Sequence, residues 1–85
     1  MFFGVKIIFE KEPLSIERFI VESFFVNKFP FVTLVVTDNE IHVYLKCLNS
    51  EGRCLEEINN VLGSIESKLS NLNKVSGKKV ILVRK

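Results

Sequence analysis

Near the start of the chain, apolar and polar positions alternate. Phe3, Val5, Ile7 and Phe9 fall on one side, and Gly4, Lys6, Ile8 and Glu10 on the other. A period of two predicts a strand with one buried face, ended by Pro13. Ser15 is a residue type that caps helix starts, and Glu17 sits where the helix dipole favours an acid. Leu14 and Phe19 have the spacing of a hydrophobic staple. The predicted first helix runs to about Lys28 and stops ahead of Pro30, which disfavours helix in Phe29. Ile16, Phe19, Ile20, Phe24 and Val26 form a broad apolar stripe expected to face the core. At about 100° per residue, Val21 and Phe25 lie roughly opposite it, beside Arg18 and Glu22.

Residues 31–48 read as a hairpin. Asp38 and Asn39 both tolerate positive φ, and a tight turn centred on them pairs Val36 with Ile41, Leu34 with Val43 and Val32 with Leu45 on one face. The opposite face carries Phe31, Thr33 and Val35 against Lys46, Tyr44 and His42. Asn49-Ser50-Glu51 and Gly52 break the pattern. Leu55, Ile58, Leu62, Ile65, Leu69 and Leu72 then recur three and four apart, the signature of an amphipathic helix of about five turns. Gly63 lies inside it. Ser76-Gly77 is a breaker, and the Val and Ile content of residues 80–83 offers a fourth strand.

Strand, helix, strand, strand, helix is the order of an α+β, ferredoxin-like βαββα fold, with helices on one face of an antiparallel sheet and the option of a fourth strand at the C-terminus. By the right-handed crossover rule, the first and third strands are expected to pair in parallel. Eighty-five residues make one domain, 1–85, with room for a single core, and a chain this short gains from dimerising.

Charge adds an asymmetry. Residues 1–73 carry seven Lys/Arg and ten Asp/Glu, whereas residues 74–85 carry five basic residues and no acid. Lys74, Lys78, Lys79, Arg84 and Lys85 are therefore candidates for contact with nucleic-acid phosphates, or gatekeepers around an apolar strand. No apolar run reaches membrane-spanning length, and Met1–Gly4 lacks the basic start of a signal peptide. Two cysteines, Cys47 and Cys54, are too few for a disulfide framework or a four-ligand zinc site. They are expected to be reduced, in a cytoplasm.

The residues for catalysis do not assemble in the sequence. His42 is the one histidine and points away from the expected core; a metal site needs several converging ligands. Cys54, at the start of the long helix, has no histidine partner to make it a nucleophile. Glu56-Glu57 and Glu10-x-Glu12 are neighbours in sequence that point in different directions or stay solvated. Ser76-Gly77-Lys78-Lys79 lacks the upstream glycine and following helix of a phosphate loop. No cofactor is implied. The topology also matches RNA-binding sheets that stack bases on aromatic residues. With Lys6, Ile8 and Glu10 facing outward on the first strand and Tyr44 the aromatic of the third, that stacking platform is expected to be missing. What remains is binding. Val21 and Phe25, with Phe29 beyond them, form a candidate partner-contact patch away from the core stripe.

Taken together, a first strand Val5–Glu10, a helix opened by Leu14-Ser15-Ile16-Glu17, a hairpin from Phe31 to Cys47 and one long helix with Leu/Ile spacing from Leu55 to Leu72 resemble the small dimerisation subunit of the KEOPS complex, or a divergent paralogue of it. The resemblance covers residues 3–73 and rests on element order, length and hydrophobic pattern. It implies a non-enzymatic scaffold that pairs with itself or with a paralogous small subunit. It also implies packing against the catalytic subunit that makes threonylcarbamoyladenosine in tRNA, and engagement of tRNA. Residues 74–85 depart from the pattern, since that family ends with the long helix. Two other classes compete: a free-standing nucleic-acid-binding domain, and a small archaeal or viral dimer of structural role.

Overall fold

The computed structural model describes residues 1–9 and 11–69, and the backbone of 70–72 and 80–84. Six elements follow in chain order: β1 (Phe2–Ile8), α1 (Ser15–Val26), β2 (Phe31–Thr37), β3 (Glu40–Lys46), α2 (Glu51–Leu72) and β4 (Val80–Arg84). An antiparallel sheet β2-β3-β1 carries the fold, and its apolar face meets both helices, as the α+β reading predicts. The backbone of β4 runs antiparallel along β1, with Arg84 opposite Phe3 and Val80 opposite Ile7. That β4 is a stable part of the domain is a proposal.

Hairpin register follows from the period of the sequence. Val36 pairs with Ile41, Leu34 with Val43 and Val32 with Leu45. Asp38 takes φ 49°, the left-handed conformation that aspartate tolerates in a tight turn. β1 and β3 are antiparallel, from Phe2 opposite Lys46 to Ile8 opposite Glu40, not parallel as expected. The hairpin reverses the chain between β2 and β3, so the crossover rule governs β1 and β2, which are separated by β3. Beyond β1, the Phe9 N–H donates to the Asn39 carbonyl and the Asn39 side-chain amide donates to the Phe9 carbonyl, both at 2.8 Å, tying the strand's end to the turn.

Phe3, Val5 and Ile7 of β1, Ile41, Val43 and Leu45 of β3, and Ile58, Leu62, Ile65 and Leu69 of α2 form one buried cluster. α1 enters it in a phase rotated from the expected one: Ile20 is buried and Phe24 packs against the core as expected, but the rest of the stripe is exchanged. Its buried residues are Glu17, Ile20, Val21 and Phe25, while Ile16, Phe19 and Val26 face solvent. An acid lies within the buried stripe because it has work there: the Leu14 N–H donates to Glu17 Oε1 at 2.8 Å, satisfying one of the free donors at the helix start. Leu14, not Ser15, is the residue flanking the helix. Ser15 Oγ instead accepts from Arg18 Nη2 at 3.2 Å.

The cysteines also differ from expectation. Cys47, just past β3, and Cys54, in the first turn of α2, are joined by a disulfide. The chain turns from strand into helix with both side chains on the core side, bringing the Cα atoms to 6.0 Å, within the range a disulfide spans. Both residues are buried.

Candidate functional site

The partner-contact patch expected at Val21, Phe25 and Phe29 is part of the core. Val21 and Phe25 are 0% exposed and Phe29 5%. The Phe25 and Phe29 rings stack at 6.2 Å between centroids, and the Phe29 N–H donates to the Phe25 carbonyl at 3.0 Å as the chain leaves the helix. The surplus of apolar surface on α1 is real, but it belongs to the other side. Ile16, Phe19 and Val26 are each more than half exposed, as is Leu14 at the helix entry. This exchange of faces arises because α1 is apolar around most of its circumference, so the helical period alone gives no unique phase.

Phe19 borders a shallow groove lined by Ser15, Arg18, Phe19 and Glu22 of α1 and by Leu34 and Val36 of β2. β2 is the outer strand of the sheet. From Phe31 to Thr37 it reads FVTLVVT, with no charged residue and no proline. Native edge strands ordinarily carry lysine, proline or a bulge that blocks pairing with another chain. β2 has none of these devices, and the exposed side of α1 lies directly beside it.

A second surface is the sheet face turned away from the helices. Register places its residues in rows: Phe31, Lys46 and Phe2; then Thr33, Tyr44 and Gly4; then Val35, His42 and Lys6; then Thr37, Glu40 and Ile8. Lys46 Nζ sits 5.7 Å from the centroid of the Phe31 ring and 5.6 Å from that of Phe2, a cation held between two rings. His42 Nε2 is 3.0 Å from Glu40 Oε1. β1 begins at Phe2, one position ahead of the alternation that starts at Phe3, and this puts a further aromatic residue on the face.

Of the basic C-terminal residues, Arg84 is placed by its backbone at the end of β4, opposite Phe3. Lys74, Lys78, Lys79 and Lys85 lie outside the described residues. Among the described residues, no group of three or more His, Cys, Asp or Glu is placed to hold a metal ion. No helix there is long and apolar enough to cross a membrane. Compared with family models, curated proteins and solved structures, the chain matches none.

Proposed function

We propose that the protein is a non-catalytic dimerisation subunit in which β2 of one copy pairs with β2 of a second. The observation that carries this is the bare edge of β2, seven residues without a charge or proline. A twofold axis near Leu34, the middle of the strand, would run the two β2 strands antiparallel and join two sheets into one. Backbone groups that face outward from the edge would gain partners, and Phe19, Leu34 and Val36 would leave water. Arg18 and Glu22 lie one turn apart beside the groove, so a twofold partner can set Arg18 of each copy toward Glu22 of the other. A small domain gains core this way that it cannot build alone.

In its particular form, the proposal is a KEOPS-type scaffold, or a paralogue that pairs with the standard small subunit. It would present helices to the catalytic tRNA threonylcarbamoyltransferase subunit, with tRNA as a further partner. The likeness of element order and hydrophobic pattern over residues 3–73 supports this form. A cytoplasmic location goes with it. A formed Cys47–Cys54 bond would sit against that location, and alkylating the two sulfurs in freshly lysed cells before any oxidation tests it.

Sedimentation velocity at micromolar concentration tests the pairing. The expected species is a dimer. Thr33→Lys with Val35→Lys, both on exposed positions of β2, sets lysines against lysines across the axis and should give a folded monomer. A wild-type chain that sediments as a monomer, or a double variant that remains a dimer, overturns the proposal.

A further inference from the structure

The open face of the sheet is made of the wrong residues for either of two ordinary fates. A solvated face would not hold two phenylalanines at 53% and 63% exposure, Phe2 and Phe31, in the same row. A protein-binding surface is ordinarily depleted of lysine relative to the rest of the protein. Here a lysine stands between the two rings, within 6 Å of both centroids. Exposed aromatic rings spaced by cations are instead what an unpaired nucleic-acid strand requires, flat apolar platforms for base faces and positive charge for the phosphates between them.

We infer that this face binds single-stranded nucleic acid, with bases stacking on Phe2 and Phe31 and the phosphate backbone drawn to Lys46 and Lys6. Phe2 and Phe31 flank β3, so their backbones stand about 10 Å apart, two strand spacings. A single strand crossing β3 meets both rings, with the Lys46 ammonium between them. Tyr44 lies two residues from Lys46 on the same face, and its neighbour across β1 is Gly4, which raises no side chain beside the ring. Thr33, next to Tyr44 on β2, adds a hydroxyl. Glu40, an acid on this face, sits at the far end from the Phe row and faces His42 at 3.0 Å. Stacking needs unpaired bases, so duplex is disfavoured by the same geometry that favours single strands. The inference is independent of dimerisation: the face lies perpendicular to the β2 edge and is present on each copy.

Fluorescence anisotropy with short labelled oligouridylate and oligothymidylate, and a duplex of equal length, tests it on the full chain at low salt. The expected result is binding of the single strands in preference to duplex. Phe2→Ala and Phe31→Ala should each weaken it by about ten-fold, while Phe31→Tyr retains it. Lys46→Gln should flatten the slope of log affinity against log salt by about 0.7. Circular dichroism melts check that the alanine variants, both at exposed positions, still fold. The basic residues of 74–85 are intact in all of these variants, so affinity that rests on them alone would not respond to the phenylalanines. Absence of single-strand binding, preference for duplex, or unchanged affinity in both alanine variants overturns the inference. So does a result in which the alanine variants change sedimentation and leave nucleic-acid affinity alone, because the face would then be a protein interface.

Discussion

Phe25 and Phe19 are the same residue type six positions apart on one helix, and the structure assigns them opposite fates. Phe25 is fully buried, stacked on Phe29 and packed in the core cluster; Phe19 is 63% exposed. Truncating a buried phenylalanine to alanine removes its transfer free energy and leaves a cavity, about 3–5 kcal/mol in all. A domain of 85 residues has a total stability of roughly 4–13 kcal/mol. Phe25→Ala therefore takes a large fraction of it, and changing Val21 and Phe25 together to Ser, which also buries two hydroxyls, should leave no folded protein. Phe19→Ala should cost less than about 0.5 kcal/mol in the monomer, the ordinary range for a surface substitution. The assay is urea denaturation followed by far-ultraviolet circular dichroism at several protein concentrations. Loss in Phe25→Ala should not depend on concentration, whereas any effect of Phe19→Ala should fade on dilution as the dimer dissociates. A Phe25→Ala variant within about 1 kcal/mol of wild type, or a Phe19→Ala variant as damaged as Phe25→Ala, would refute the assigned phase of α1.

Gly63 lies exposed within α2, and a Cβ built there meets nothing within 4 Å, so Gly63→Ala should stabilise the protein by about 1 kcal/mol in the same denaturation assay. The Cys47–Cys54 disulfide closes a short loop, with a sequence separation of 7. Reduction with dithiothreitol should cost about 2–3 kcal/mol by chain entropy, and a Cys47→Ser/Cys54→Ser variant should show no response to the reductant. Truncation after Asn73 should lower the melting temperature, change the oligomer, or both, if β4 is a stable strand; an unchanged melt and sedimentation profile counts against it. Reversing Lys78, Lys79, Arg84 and Lys85 to Glu should spare folding and weaken RNA binding with a smaller salt dependence, and unchanged RNA affinity would leave those residues as gatekeepers alone.

Strands were legible in this sequence because their signal has one solution. The alternation of β1 and the Asp38-Asn39 turn fix which residues face the core, and a slip by one would turn every side chain over. α2 was legible for a similar reason: its apolar residues occupy one side and its charges the other. α1 was not, because Ile16, Phe19 and Val26 on one side compete with Ile20, Val21 and Phe25 on the other, and the buried Glu17 reads as polar. Its carboxylate is explained only by the Leu14 N–H it accepts, a local contact that hydropathy does not see. Phe29 was a usable signal, since Val21, Phe25 and Phe29 align four apart and continue past the helix end into the core. The aromatic row of the sheet was also within reach. Extending the alternation of β1 back by one step puts Phe2 on the face of Gly4 and Lys6, and hairpin register then aligns it with Lys46 and Phe31. The disulfide was out of reach, because spacing along the chain does not say that a strand end and a helix start meet on the core side.

Amide hydrogen exchange along β2, read residue by residue by nuclear magnetic resonance, tests most directly whether this edge is where two copies meet. In a monomer, the β2 amides that point away from β3 meet no backbone acceptor outside the sheet among the described residues and exchange at the rate of exposed loops. The account predicts that outward-facing amides between Phe31 and Thr37 are protected at concentrations where the protein sediments as a dimer. They should lose that protection on dilution and in the Thr33→Lys/Val35→Lys variant. Rapid exchange of those amides in a sample that sediments as a dimer would place the interface elsewhere and contradict the account.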